Sequence, residues 1–316
     1  MNADSATSLS IPSITQEVWP ELPWPAWGDT CTTLQMWMQV VGKIRMALMP
    51  HINHTWGVTL YPTIRGVTTS PMPYGRAMLE IEFDFVDHML RIANSSGARR
   101  SIPLTPITVA EFYRRAMESL DDLGMPVRIW PQAVEVPETI RLDQDEAHRT
   151  YDPDYANRFW RVLLQTTRVL TEFRARFRGK VSPIHLFWGA MDLACTRFSG
   201  RTAPEHASMP GLPDRVVRDA YSHEISSAGF WPGGPGMEAM FYSYAYPEPG
   251  GFREYKIEPA AAQYSETFGE FVLPYEAMRT SPDPDAALLE FLQSTYEAAA
   301  VCAKWDRAAL ETATSL

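Results

Sequence analysis

The chain has 316 residues, enough for a large buried core built as one big domain or two ordinary ones. Its composition, 45% hydrophobic and 21% charged, is that of an ordered globular protein, and its formal net charge of −10 opposes non-specific nucleic-acid binding, which needs a basic footprint. No apolar run reaches the ~20 residues of a membrane span, and three distant cysteines (Cys31, Cys195, Cys302) make neither a disulfide framework nor a thiolate metal site, so a reducing, cytoplasmic setting without membrane contact is expected.

Residues 1–18 read as a disordered tail that lacks the basic start and apolar block of a signal peptide. Tryptophan and proline alternate from Trp19 to Pro25, which predicts an extended segment clamped to the body by its indoles. The Thr32/Gln35 capping box and the spacing of Leu34, Met38, Val41, Ile44 and Leu48 predict a helix over 32–48. Strands are expected over 56–63, 78–86, 89–93 and 100–104. The second is the cleanest, with Leu79, Ile81, Phe83 and Phe85 alternating with Glu80, Glu82 and Asp84. Thr108 and Glu111 open a helix over 109–123, which Gly124 ends. Residues 125–150 form a connector with a short strand at 127–130. Asp152 and Pro153 open a helix to Arg178, whose late basic run (Arg168, Arg174, Arg176, Arg178, then Lys180) reads as a solvated face that offsets the dipole. Further strands are expected over 184–198, 224–230, 240–246, 253–258 and 270–273. A last helix opens at Asp283-Pro284 and runs to about Leu310.

Each half therefore reads helix, strands, helix. The expected fold class is α+β: two pseudo-repeated helix–antiparallel strands–helix halves, 19–124 and 151–316, packed as one compact unit. Internal duplication is suggested by spacing. Trp56-Gly57 precedes Arg65 at the offset by which Trp188-Gly189 precedes Arg197. His54 and His185 precede the two Trp-Gly pairs, and Gly75–Phe85 aligns with Gly236–Tyr246. In this alignment Asp192 stands where the first half has Leu60.

The second half carries the chemistry-bearing residue types. Asp192 is a carboxylate inside an apolar run, so burial requires a partner, and Arg197 is the expected one; Gly189 would supply a bulge that realigns His185 with Asp192. His223 is the candidate general base, with Asp192 or Glu224 to orient it, although adjacent His223 and Glu224 point to opposite sides of a strand. Tyr242, Tyr244 and Tyr246 share one face and suit either a pocket wall or a wet sheet surface. The glycine-rich stretch 229–236 is expected to be a loop, without the spacing of a nucleotide-phosphate site. A metal held by His185, His223 and Asp192 or Glu224 is a weak alternative, because no local spacing supports it. No cofactor is implied.

The runs HLFWGAMDLACTRFSGR (185–201), SHEISSAGFWPGG (222–234) and FYSYAYPEPGGF (241–252) resemble a family of uncharacterised bacterial proteins of this length. The opening WPELPWPAWGDTCTTLQMWMQVVGKIR and the closing FLQSTYEAAAVCAKWDR extend the resemblance over nearly the whole chain. It implies relatives and no mechanism, and it transfers no catalytic roles.

Two functional expectations stand side by side, and the sequence does not decide whether the protein is an enzyme. One is a binder of a small anionic ligand, or an acid–base enzyme. Its pocket is lined by His185, Trp188, Asp192, Arg197, His223, Glu224, Trp231, Tyr242 and Tyr244, with Arg197 holding the anion. The other is a non-catalytic scaffold or protein-interaction module that uses exposed Trp-Pro segments and the tyrosine face.

Overall fold

The computed structural model describes residues 17–136, 140–209 and 211–312; most of the expected tail, residues 1–16, lies outside them. Helix α1 (Trp24–Leu48) opens well before Thr32. Pro25 sits in its first turn, where no N–H is needed and the fixed φ suits a helix, so this proline begins a helix and does not exclude one. Thr32 is an interior residue whose hydroxyl donates to the Gly28 carbonyl at 2.9 Å. Apolar residues surround this helix, and Trp27, Leu34, Trp37, Val41 and Ile44 are all fully enclosed, which makes α1 the central strut of the molecule.

The strand expected over 56–63 is largely replaced by a 3₁₀ stretch, Asn53–Val58, followed by a two-residue strand β1 (Tyr61–Pro62). His54 and Thr55 both take left-handed backbone, with φ of 58° and 60°. A distant residue imposes this strain: the Asp219 carboxylate accepts from the Thr55 N–H at 2.8 Å, and the Asp219 carbonyl lies 3.1 Å from His54 Nδ1.

The first half then builds β2 (Gly66–Thr68), β3 (Met72–Tyr74), β4 (Ala77–Asp84), β5 (Met89–Asn94) and β6 (Arg99–Pro103). With β1 they form a six-stranded antiparallel sheet in the order β1-β2-β4-β5-β6, with β3 paired to β4. The alternation in β4 holds, and Leu79, Ile81 and Phe83 are buried. Helix α2 (Val109–Asp122) is capped as expected by Thr108, whose hydroxyl accepts from the Glu111 N–H. Its buried Phe112 stacks on Trp37 at 4.8 Å. No strand forms at 127–130, where Trp130 is exposed; the connector's one strand-like bridge among the described residues joins Gln132 and Arg141.

Helix α3 (Pro153–Ala175) leads into the second sheet: β7 (His185–Phe187), β8 (Asp192–Thr202), β9 (His223–Trp231), β10 (Met240–Tyr246), β11 (Gln263–Ser265) and β12 (Glu270–Pro274). This sheet is six-stranded and antiparallel, in the order β11-β12-β10-β9-β8-β7. Two expectations are corrected here. The single strand over 184–198 is a hairpin whose turn holds Gly189, with Met191 in left-handed backbone, so Gly189 makes no bulge. The strand over 253–258 is a turn, anchored where Arg253 meets Glu248 at 2.7 Å. Gly229 also lies within β9 and not in a loop. Short helices α4 (Asp214–Ala220) and α5 (Tyr275–Arg279) were not anticipated. The closing helix is divided, α6 (Pro284–Cys302) ending before Lys304, whose φ is 52°, and α7 (Arg307–Leu310) following.

The halves share one apolar core. Leu60 and Leu186 exchange backbone hydrogen bonds of 2.9 Å, which stitches the edge of one sheet to the edge of the other. Trp188 donates to the Val58 carbonyl at 2.8 Å and lies against Gly42 of α1, where a Cβ would come within 2.3 Å of the indole. Two six-stranded sheets, one per half, fit the expected two-part organisation. The residue-by-residue alignment does not hold, because the sheet orders differ. Trp56-Gly57 lies in a 3₁₀ stretch while Trp188-Gly189 begins a hairpin turn. Arg65 is partly exposed, whereas Arg197 is fully enclosed. No helix among the described residues is long and apolar enough to cross a membrane.

Candidate functional site

Because strand side chains alternate, β8 sends Leu193, Cys195 and Arg197 to one face and Asp192, Ala194, Thr196 and Phe198 to the other. The second set forms part of the wall of a cavity of about 500 Å³, within the range of small-molecule sites. Cross-strand register adds Ser227 of β9 and Tyr242 and Tyr244 of β10 to the same face. Glu270 of β12, Trp231 at the end of β9, His54 and Trp56 of the first half, Glu135 of the connector and Tyr221 after α4 also line it.

Asp192 is the focus of this face. Tyr242 donates its hydroxyl to the Asp192 carboxylate from two strands away. The reach is possible because Gly229 lies between them: a Cβ there would stand 2.7 Å from the Tyr242 hydroxyl oxygen. Burial pushes the Asp192 carboxyl up to about 6, and the hydrogen bond from Tyr242 opposes that rise. Burial also raises Glu135 and Glu270, each to about 7, and the nearby Asp192 charge adds to both shifts. Glu135 is solvent-accessible, which places it at the cavity mouth. Tyr244 faces Tyr221, their hydroxyl oxygens 3.4 Å apart.

Asp192, Trp231, Tyr242 and Tyr244 are therefore brought together in one cavity wall. The remaining candidates are not. Arg197 lies five residues from Asp192 on the opposite face, where its guanidinium stands 3.4 Å from the Phe173 ring centroid and 4.3 Å from that of Tyr296 and donates to the Phe173 carbonyl. It can neither pair with Asp192 nor hold a ligand in the cavity. His185 is sealed in the interior with Nδ1 2.9 Å from the Thr59 hydroxyl, and burial together with the charges of Arg45 and Arg174 pulls it down to about 3. Trp188 braces α1. His223 stands beside the cavity, its ring 5.7 Å from that of His54 and its Nδ1 3.0 Å from the Ser222 hydroxyl, and neither Asp192 nor Glu224 orients it. Glu224 points to the other face and pairs with Arg201 at 2.6 Å, in a separate cavity of about 260 Å³. His185, His223 and Asp192 do not converge, and no three metal-ligating side chains among the described residues are grouped to hold an ion.

In the Trp-Pro segment Trp19 is buried and donates to Asp285 at 3.0 Å, Trp24 is half-buried and Pro25 is exposed.

Sequence reasoning missed Glu135, Glu270 and His54 as wall residues. Glu270 begins an otherwise apolar strand, a signal of the kind that drew attention to Asp192. Glu135 lies in a stretch without periodicity. His54 is held as a neutral wall: Nδ1 faces the Asp219 carbonyl, and Nε2 lies 2.7 Å from the Lys180 ammonium. Burial and the Lys180 charge lower its pKa.

No curated protein and no solved structure matches the chain. The model of one family matches residues 19–312, and the chain belongs to that family, the family of unknown function DUF5996.

Proposed function

We propose that the protein binds a small molecule in the cavity on the open face of the second sheet, with Asp192 as the group that orients it or exchanges a proton with it. One observation carries this reading: a carboxyl with a tyrosine donor sits in the lining of a half-open, aromatic-walled space of about 500 Å³. Carboxyls raised to about 6 and 7 change charge close to neutral pH, which suits general acid–base work. The anionic ligand expected from the sequence loses its anchor with Arg197 on the other face, so the small molecule and the acid–base group are retained and the anion is not.

Filling the cavity tests this. Ala194 lies on the cavity face of β8, and Ala194→Phe would project a ring into empty space without altering charge. The neutral dye Nile red should fluoresce on binding the wild-type protein, and Ala194→Phe should weaken its binding by about tenfold or more, equivalent to ~1.4 kcal/mol. Ala245→Phe, in the smaller cavity, serves as the control and should leave binding unchanged. Equal binding by wild type and Ala194→Phe would reject the site.

A further inference from the structure

We infer that the cavity takes an organic cation, a protonated amine carried on a flat apolar body. The inference rests on the pocket reading above and narrows it. The lining contains no Arg or Lys among its described residues, while Asp192, Glu135 and Glu270 all contribute to it. Around these carboxyls stand aromatic faces, Trp231 and Tyr244 among them, while the rings of Trp56 and Phe198 already face the Lys180 ammonium at 5.4 and 4.6 Å. The rings offer apolar contact and the negative face of a quadrupole, to which a cation is drawn. An anion would enter against three carboxyls, and the Lys180 ammonium behind the wall is engaged by His54 Nε2 at 2.7 Å. A neutral molecule would bury the rings and leave the carboxyls desolvated without a counter-charge. A cation meets both demands: it offsets the cost of burial that raises all three carboxyls, and it relieves the Asp192 charge that adds to the rise at Glu135 and Glu270.

Geometry sets the orientation. Tyr242 holds one oxygen of Asp192 from the β10 side, which leaves the remaining acceptor positions for the ligand's ammonium. The body of the ligand would then lie between the first-half wall at Trp56 and the β9 end at Trp231. The groups that face Asp192 are Tyr242 and Tyr244 from β10, Glu270 from β12, Glu135 from the connector and Tyr221 after α4; the neutral His54 is the facing group from the 3₁₀ stretch. The tyrosines stay protonated, because burial raises the pKa of each. The carboxyls are therefore the groups that change charge between about pH 5 and pH 8, and an alkylamine remains a cation throughout that interval.

The test is a calorimetric or fluorescence titration of the full chain with 2-phenylethylamine, 2-phenylethanol and 3-phenylpropionate at about pH 8. The amine should bind at least about tenfold more tightly than the alcohol, and the acid more weakly than either. At about pH 5, with the carboxyls protonated, the amine's advantage should shrink toward parity. Asp192→Asn should remove the amine's preference and keep the affinity for the alcohol. If that variant does not fold, the Glu135→Gln/Glu270→Gln double variant carries the same comparison. An alcohol that binds as tightly as the amine, or a preference for the acid, overturns the cation assignment and leaves the pocket standing. Failure of all three probes to bind overturns the pocket reading and this inference with it.

Discussion

Asp84→Ala is expected to destabilise the protein by about 3 kcal/mol, a drop in Tm on the order of 10 °C. Asp84 ends β4 with a fully enclosed carboxylate. It accepts from Arg65 Nε at 2.7 Å and Arg91 Nε at 2.8 Å, and from the backbone N–H groups of Val86 and Asp87 at 3.0 and 2.9 Å. Removing it leaves the two guanidinium groups to the half-exposed Asp87, which pairs with Arg65 at 2.8 Å and Arg91 at 2.5 Å, and strips the Val86 and Asp87 N–H groups of their acceptor in the β4–β5 turn. Each loss is modest because both arginines remain partly in water, but together they exceed a single surface ion pair. Burial alone would raise this carboxyl; the arginines and the backbone donors outweigh it and hold it at about 2. The sign follows from that direction. The unfolded chain binds its proton at an ordinary carboxyl pKa near 4 and the folded one only near 2, so the stabilisation is present above pH ~4 and is lost as pH falls through that interval. Urea denaturation of wild type and Asp84→Asn should give a difference that is constant from about pH 7 to pH 5 and shrinks toward pH 3. A difference independent of pH would contradict this assignment.

Arg197→Ala should cost about 3–4 kcal/mol, whereas Arg197→Met should cost about 1 kcal/mol. The contrast separates packing from charge. The Arg197 side chain fills a space bounded by the rings of Phe173, Phe177 and Tyr296, and truncation to Ala leaves a cavity that those rings cannot close. Methionine restores the volume and spares the protein a buried guanidinium, whose pKa burial lowers to about 10. Both variants should bind Nile red as the wild type does, because the side chain lies on the face of β8 away from the cavity. A ligand anchor would behave in the opposite way: both variants would lose binding whatever their stability.

The residues that carry these predictions show where the sequence was legible. Strand faces could be read wherever alternation ran unbroken. The pattern of β4 placed Leu79, Ile81 and Phe83 inward, and the pattern of β10 placed Tyr242 and Tyr244 together. Asp192 stood out because a carboxylate in an apolar run must be accounted for. Arg197 stands at an odd spacing from Asp192 within one strand, which by itself separates the two. Other features depend on partners far along the chain. The left-handed backbone of His54 and Thr55 is set by Asp219, more than 160 residues away, and no local propensity favours it. Glu135 reaches the cavity from an irregular connector, and its position is decided by packing against Gly189 in the hairpin turn. Trp24 and Pro25 begin a helix because proline's restriction is also a preference for the first turn. The apparent internal repeat matched short motifs whose environments differ, so similar residues serve as a 3₁₀ stretch in one half and a hairpin turn in the other.

The most direct test of the central claim is a crystal structure of the protein soaked with 2-phenylethylamine at about pH 8. The account predicts density for the ligand in the cavity, with its ammonium within hydrogen-bond distance of the Asp192 carboxylate and its ring against Trp56 or Trp231. A cavity filled by rearranged side chains, or an amine bound elsewhere with Asp192 still held by Tyr242 alone, would contradict it.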